Sequence, residues 1–328
     1  MNEKPKEPSK IRFLHLVDHD GTIFKLVSLL SVYPDHKVLT SFSYPLKKTM
    51  QNIDKISKNK KAILILHATG NNKKVFYKMK EDIIKKFKKA YVFLHVSPTH
   101  FLIKNRRNEL DNLKKLVEKY NVGILVYSNE VKKEFSYYGL NAIPIQVGIN
   151  FGSRKYYNDE SIRNQKKYLT TVCTSEEGVY HYIKGIDIFY KLIKDMGIEK
   201  DGLILGNNSN LFKGVKTKKV SQTNFLKYLK KSKVYIQLSR TEAYNLSAIY
   251  AKRLKIPIIV TDIEGHKDNV KYGFRINSLK DAKKCLKNIL SNYRKSKIKK
   301  IVDKNYRDSL KRETLNNFRN SFNKLLSS

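Results

Sequence analysis

Cysteine, acidic side chains and long apolar runs are all scarce in this 328-residue chain. The two cysteines, Cys173 and Cys285, stand alone without CxxC spacing, which excludes a disulfide framework and a cysteine-based zinc site. Isolated thiols suit a reducing compartment, so a cytoplasmic location is expected, with peripheral attachment to the inner membrane face as its extension. Apolar runs such as 62–66 and 256–260 are strand-sized, well short of the ~20 residues that span a bilayer. Residues 1–10 are polar and rich in Pro and Lys, with no apolar core of a signal peptide, and are expected to form a short flexible leader.

What the chain does hold is basic charge and enough apolar material for two cores. Its 67 Lys and Arg against 29 Asp and Glu leave a net charge of +38. A field of that size favours polyanions such as nucleic acid, anionic lipid headgroups or phosphorylated substrates. Lys greatly outnumbers Arg, and Asn, Ile and Tyr are plentiful, which is also what an AT-rich genome writes without selection. Both readings of the charge stay open. With 41% hydrophobic residues, the length suits two domains of about 150 residues each.

Continuous apolar runs at 11–17, 62–67, 90–96 and 123–127 suit parallel strands buried on both faces, and one-sided amphipathic patterns at 75–89, 108–120 and 130–138 suit helices between them. Residues 148–165 lose this periodicity and are expected to link two domains. The alternation then restarts. Strands are expected at 168–174, 202–206, 234–238 and 257–261, and helices at 182–196, 225–231, 242–254, 279–292 and 310–326. The predicted domains are 11–150 and 151–305, followed by a C-terminal helix in 306–328. Two such α/β units form a bilobal protein with a cleft, and ligands of such sheets bind outside the carboxyl ends of the strands.

The stretch Ser239-Arg240-Thr241-Glu242-Ala243-Tyr244-Asn245-Leu246-Ser247 follows a predicted strand and opens a predicted helix. Unpaired N–H groups at such a junction make a seat for a diphosphate. The plainer alternative is that Ser239 or Thr241 caps the helix and Glu242 complements its dipole.

Residues 235–270 resemble the donor-binding stretch of retaining family-4 glycosyltransferases, in which Ser-x-x-Glu-Gly-Phe-Gly-Leu opens a helix and Gly-x-Pro-Val-Val-x-Thr follows. The matching residues are Ser239, Glu242, Tyr244 and Leu246, then Ile256, Pro257 and Thr261. Lys184-Gly185-Ile186-Asp187 resembles the family's Lys-Gly-x-Asp, and Gly206 its strand-ending glycine. Val126-Tyr127-Ser128 and 144–151 resemble first-domain landmarks, so the match runs over most of the chain.

The resemblance implies a GT-B fold: two Rossmann-like α/β domains facing each other across a cleft, the C-terminal helices packing back on the first. It implies transfer of a hexose from a UDP- or GDP-sugar with retention, the nucleotide-sugar being a substrate and no metal or other cofactor being required. Lys184 would neutralise the diphosphate, the amides from Thr241 to Asn245, those of Ala243 and Tyr244 among them, would cradle it, and Glu242 would face the sugar. Gly185 would permit close backbone approach. Residues 206–212 and Val220 would shape base and sugar recognition. The sequence also departs from the family: Tyr250 stands where a second glutamate commonly binds the ribose, and the Arg usual before the Lys-Gly pair is missing. Arg240 is the candidate replacement.

In the first half, His67 and His95 end predicted strands, and His95 resembles a family histidine that contacts the sugar; a strand-end histidine satisfied by hydrogen bonds is the alternative. Asp18-His19-Asp20-Gly21-Thr22 follows the first strand, where the family has a phosphate or acceptor loop, so Asp20, Gly21 and Thr22 are candidates with His67. Asp18-x-Asp20 also mimics a metal-binding Asp-x-Asp, but its place in a two-unit α/β chain argues for no metal site. His266 and Asp268 follow a predicted strand, and the basic segments 73–89 and 280–300 suit either a solvated helix or an anionic surface. The expected acceptor is a surface glycan, a lipid-linked saccharide or a protein. A viral-type DNA glucosyltransferase and a non-catalytic GT-B binding protein are the alternatives.

Overall fold

The computed structural model describes residues 10–18, 22–40, 46–68, 79–149, 166–173, 178–206, 212–292 and 296–327. The chain divides into two compact units, Met1–Asn150 with Leu315–Ser328, and Phe151–Thr314. Each holds a six-stranded sheet in which all the described pairings are parallel.

The first sheet contains β1 (Phe13–Val17), β2 (His36–Thr40), β3 (Ile63–Ala68), β4 (Lys89–Leu94), β5 (Gly123–Val126) and β6 (Ala142–Pro144), in the order β2-β1-β3-β4-β5-β6. All five residues of β1 are buried, because helices cover both faces and leave no polar side to alternate with. The helix Arg107–Tyr120 ends at Asn121, which takes the left-handed conformation at φ 51° that closes helices of this kind. Of the helix expected at 75–89, the structure describes Lys80–Ile84; residues 69–78 and much of the expected linker lie outside the described residues.

The second sheet contains β7 (Tyr168–Val172), β8 (Gly202–Leu205), β9 (Lys216–Lys218), β10 (Ser232–Gln237), β11 (Ile258–Thr261) and β12 (Phe274–Ile276), ordered β12-β11-β10-β7-β8-β9. Its core is two-sided. Val234 and Ile236 of β10 pack with Leu169, Phe189, Ile259 and Leu286 on one face. Tyr235 packs with Val172, Leu205, Ala248 and Val260 on the other. Sequence reading missed β2, β6, β9 and β12, which are short, edge-lying or polar; β9 is Lys-Thr-Lys.

Three expected helices are corrected. The helix expected at 182–196 is two, Gly178–Ile183 and Ile186–Lys194, because Gly185 turns left-handed at φ +63°. The helix expected at 242–254 is Leu246–Arg253, four residues shorter at its start. The helix expected at 310–326 is divided between Ser296–Arg312 and Leu315–Asn323, and the break at Glu313 turns that carboxylate inward. Glu313 meets the ammonium of Lys252, and Asp308 lies 3.7 Å from the same nitrogen. Lys252 is fully buried, so this ion pair is a core element joining Leu246–Arg253 to the end of Ser296–Arg312. Arg253 adds bonds to the carbonyls of Ser309 (2.9 Å) and Glu313 (3.2 Å). No described helix is long and apolar enough to cross a membrane.

Candidate functional site

In the second unit the candidate residues gather where β7, β10 and β11 end. Gly185 makes this possible. A Cβ there would lie 1.8 Å from the carbonyl oxygen of Leu238, so only glycine lets the turn after Ile183 press onto the end of β10. The close approach that Gly185 permits is thus with the protein's own backbone. Gln237 locks the turn by donating from Nε2 to the Lys184 carbonyl (2.7 Å) and to Ser239 Oγ (3.2 Å). The Lys184 ammonium then reaches Glu242 Oε2 at 2.6 Å, with the two side chains 29% and 10% exposed. The lysine and the glutamate that the resemblance assigns to the diphosphate and the sugar are therefore in contact.

The segment 239–245 is an extended loop. The helix cap is Asn245, whose Oδ1 accepts from Ala248 N at 3.0 Å and from the Tyr235 hydroxyl at 3.1 Å. Asn caps as well as Ser or Thr, and it stands nearer the apolar stretch that continues the helix. Ser239 and Thr241, the expected caps, have other partners. Ser239 is buried, and its carbonyl accepts from Thr261 Oγ1 at 2.6 Å. Thr241 Oγ1 donates to Glu264 Oε1 at 2.5 Å, and Glu242 N donates to the same oxygen at 3.1 Å. Glu264 thereby fills an amide position that the sequence reserved for a phosphate. Gly265 follows beneath the loop: a Cβ there would be 2.0 Å from the Glu242 carbonyl oxygen. Ala243 is buried, while Tyr244 and Leu246 are half-buried.

Arg240 is held by protein partners. Its guanidinium grips both oxygens of Asp187 at 2.8 and 2.6 Å, donates to the Tyr182 carbonyl at 2.5 Å and stacks on the Tyr182 ring at 3.7 Å. Burial works to raise the Asp187 carboxyl, and the bonds and charge of Arg240 outweigh it, leaving Asp187 below the usual carboxylate range. Arg240 therefore braces the loop against the Ile186–Lys194 helix. Tyr250, in place of the family's second acid, is half-buried with its ring edge-on to Phe225 at 5.9 Å. Gly206 turns left-handed at φ +96° after β8, and its N–H donates to the Lys218 carbonyl at 2.8 Å. The recognition loop expected just beyond it, 207–211, lies outside the described residues.

His266 is a satisfied core histidine. Its Nδ1–H donates to the Thr261 carbonyl at 2.9 Å, and its Nε2 accepts from the Asn245 amide at 3.0 Å. Burial pushes it down to about 3, so it is neutral and holds the loop from below. The Asp268 carbonyl accepts from Arg312 at 3.1 Å.

In the first unit Asp20 and Gly21 lie outside the described residues, and Thr22 opens the helix Thr22–Ser28. His67 and His95 belong to a larger array. His36 Nδ1 and His15 Nε2 are 3.0 Å apart, as are His15 Nδ1 and His67 Nε2, and His67 Nδ1 and His95 Nε2. The Tyr127 hydroxyl closes the row on His95 Nδ1. Both ring nitrogens of His95 thus have protein partners, and a bound sugar would meet its ring edge or face. Strand register explains the row. His15 pairs with Ile65, two residues before His67, and His67 pairs with Phe93, two before His95. Equal parity puts all these side chains on one face of the sheet. Burial, followed by the charge of neighbouring histidines, holds His15 and His67 well below the usual histidine range, so both are neutral. Sequence reading missed His15, His36 and Tyr127 as members of this array; their diagonal placement becomes visible only once the register is known. Among the described residues, no three His, Cys, Asp or Glu side chains form a group that could hold a metal ion.

No protein-family description and no curated protein matches the chain by sequence. Solved structures match by shape. A mutant of S. aureus TarM, in complex with fondaparinux, alpha-GlcNAc-glycerol and UDP, superposes with a TM-score of 0.60 at 18% identity over 82% of this chain. The chain spans only 56% of that protein's length. Sucrose-phosphate synthase from Thermosynechococcus elongatus matches with a TM-score of 0.69 at 13% identity, covering 96% of this chain and 98% of that one. Anabaena HepE, in complex with UDP and glucose, matches with a TM-score of 0.67 at 12% identity over 97% and 99% of the two chains. The neighbours are GT-B proteins, and with two Rossmann-like units each built on a parallel six-stranded sheet, this chain has the GT-B fold.

Proposed function

We propose that the chain is a glycosyltransferase that moves a hexose from a nucleotide-sugar, UDP-linked in preference to GDP-linked, onto a surface glycan, lipid-linked or protein acceptor. The observation that carries this reading is the Lys184–Glu242 contact at the carboxyl edge of the second sheet. In parallel α/β sheets that edge is where nucleotides bind. UDP accompanies two of the structural neighbours described above, which favours it as the leaving group here.

The chemistry follows from charge. Breaking the bond between the anomeric carbon and the diphosphate leaves negative charge on the nucleotide, and a preplaced ammonium stabilises that charge as it develops. Lys184 supplies it, held by the Gln237 bond to its carbonyl, and the resemblance to the family implies a reaction without a metal. In the unliganded protein Glu242 neutralises Lys184; the diphosphate competes for the ammonium and releases Glu242 to face the sugar. Glu242 lies on the loop and not inside a helix, which allows it this movement. The sugar is transferred with retention of configuration, as the resemblance to the retaining family implies.

Thermal-shift and transfer assays with UDP-glucose, UDP-N-acetylglucosamine and GDP-mannose test the reading. A UDP-sugar should raise Tm and be turned over, and Lys184→Ala should lower kcat/KM by about 10²–10³. Glu242→Ala should abolish transfer while retaining nucleotide binding. Stabilisation by a nucleotide-sugar without any turnover, unchanged in Glu242→Ala, would instead support a non-catalytic sugar-binding role.

A further inference from the structure

The amino edge of the first sheet lies opposite the edge where ligands of such sheets bind, and it gathers basic charge. The chain enters three neighbouring strands through basic residues. Lys10 and Arg12 precede β1, Lys60 and Lys61 precede β3, and Lys88 precedes β4, which itself begins at Lys89. These groups are far apart in sequence, and strand register brings them together. Phe13 pairs with Ile63, and Ile63 with Lys89, so the entries to β1, β3 and β4 lie side by side. They line an open cavity of about 1250 Å³, completed by Asp35, Asn121, Arg319 and Leu326 among others. Every described lining residue belongs to the first unit.

Among the described lining residues seven are cationic and Asp35 is the one acid. Asp35 is already matched, because Arg319 donates to its two oxygens at 3.2 and 3.4 Å. Lys89 is turned to the Leu325 carbonyl at 2.9 Å. Arg12, Lys60, Lys61 and Lys88 are exposed. Positive charge at this edge also complements the carbonyl ends of the helices that lead into the strands. Each such end carries only about half a negative charge, so the ends of Leu46–Ser57, Lys80–Ile84 and Arg107–Tyr120 offset roughly one or two of the cations. The remainder gives a concave site a positive potential, which its low-dielectric walls focus.

The wall also selects among anions. Its aromatic residue, Tyr91, is buried, and its ring packs against Gly123 where a Cβ would collide with it. Among the described lining residues no aromatic face is therefore offered to a base, as sites for single-stranded nucleic acid offer. Three of the four exposed cations are lysines, whose ammonium groups are point charges on flexible stems and follow phosphates of varied spacing. The cavity exceeds the roughly 300–1,000 Å³ of sites for drug-sized ligands, so it has room for several phosphates at once.

We propose that this amino-edge cavity binds a compact ligand bearing two or more clustered phosphate groups, held by Arg12, Lys60, Lys61 and Lys88. A soluble oligophosphate and a phosphorylated lipid headgroup present the same chemistry. The site is independent of the transferase reading above and of the residues that carry it.

Two measurements on the full-length protein separate the sources: calorimetric titration with tripolyphosphate, and co-sedimentation with phosphatidylcholine vesicles with and without phosphatidylinositol bisphosphate. Tripolyphosphate should bind one per chain, and more weakly as salt is raised. The combined variant Lys60→Ala, Lys61→Ala, Lys88→Ala should weaken binding about tenfold or more. Removing the same charge from exposed lysines of the same unit outside the cavity, as in Lys114→Ala, Lys115→Ala, Lys132→Ala, should leave binding within about twofold. Arg12→Gln, at the neighbouring strand entry, should weaken it severalfold and serves if the combined variant does not fold. Binding of the phosphoinositide vesicles alone, lost in the cavity variant, supports the site and assigns its ligand to a lipid headgroup. No binding of either probe would overturn the proposal. So would equal loss in the two triple variants, since net charge alone would then hold the anion. Tighter binding of an oligothymidylate than of tripolyphosphate, lost in the cavity variant, would replace the clustered phosphate with a nucleic acid and refute the proposal.

Discussion

The two sheets share one topology class and solve the polar edge in opposite ways. At the end of the second sheet neutral contacts of Gln237, Asn245 and His266 are joined by charged ones: Lys184 with Glu242, Arg240 with Asp187, and Glu264 against the hydroxyl of Thr241 and the amide of Glu242. Along the first sheet the described polar row is of imidazoles in an aromatic sheath, with His15 and His67 held neutral by burial. Paired ions hold the loop by charge, whereas neutral rings supply directional donors and acceptors at low desolvation cost.

The sharpest way to break this contrast is to remove charge from the core of the second unit. Lys252→Met leaves Glu313 buried without its counter-ion and should cost about 3–5 kcal/mol in denaturant unfolding. A loss below about 1 kcal/mol would mean that charge is not what joins these helices. Next is the backbone that aims Lys184. Gly185→Ala forces a side chain into left-handed φ and into the Leu238 carbonyl, and should cost about 2–4 kcal/mol while weakening nucleotide-sugar binding.

Acid separates the two units directly. His15 and His67 are depressed below their ordinary value in the fold, so below about pH 6.5 the unfolded chain binds protons that the native chain does not, and stability falls as pH falls. His266, at about 3, contributes with the same sign in the second unit. Two such groups give a slope of about 2.7 kcal/mol per pH unit and one gives about 1.4. Hydrogen exchange between pH 6.5 and 4.5 should therefore show protection lost faster in the first sheet than in the second. Equal loss would overturn the contrast. The smallest effect is expected at Arg240→Ala. Its ion pair is half-exposed on the Asp187 side, so about 0.2–1 kcal/mol of stability should go, with donor affinity nearly unchanged.

Much of this was readable from the residues, and the reasons are specific. Both cores were visible because strands buried on two faces leave continuous apolar runs, as at 62–67 and 257–261. Lys184 and Glu242 were found through local motifs, whose spacing survives when overall identity is low. The partner of Arg240 was not readable because sequence shows a charge and not what meets it: Asp187, its acceptor, lies 53 positions away. Asn245 was passed over as cap because Ser239 and Thr241 are equally good caps by residue type, and only the position of the first helical turn separates them. Lys252 gave no signal, since a lysine on a helix reads as solvated until Glu313 is known to face it.

The sequence by itself determined the alternation of strands and helices, the restart that makes two units, and the glycine and lysine of the Lys184-Gly185 turn. These depend on periodicity and on local backbone freedom, both of which act over a few residues. Only the tertiary structure decided which charges cancel and which histidines join. Ion pairs such as Lys184–Glu242 and the step from His15 to His67 depend on strand order and register, and in a parallel sheet neighbouring strands are joined through crossovers many residues long.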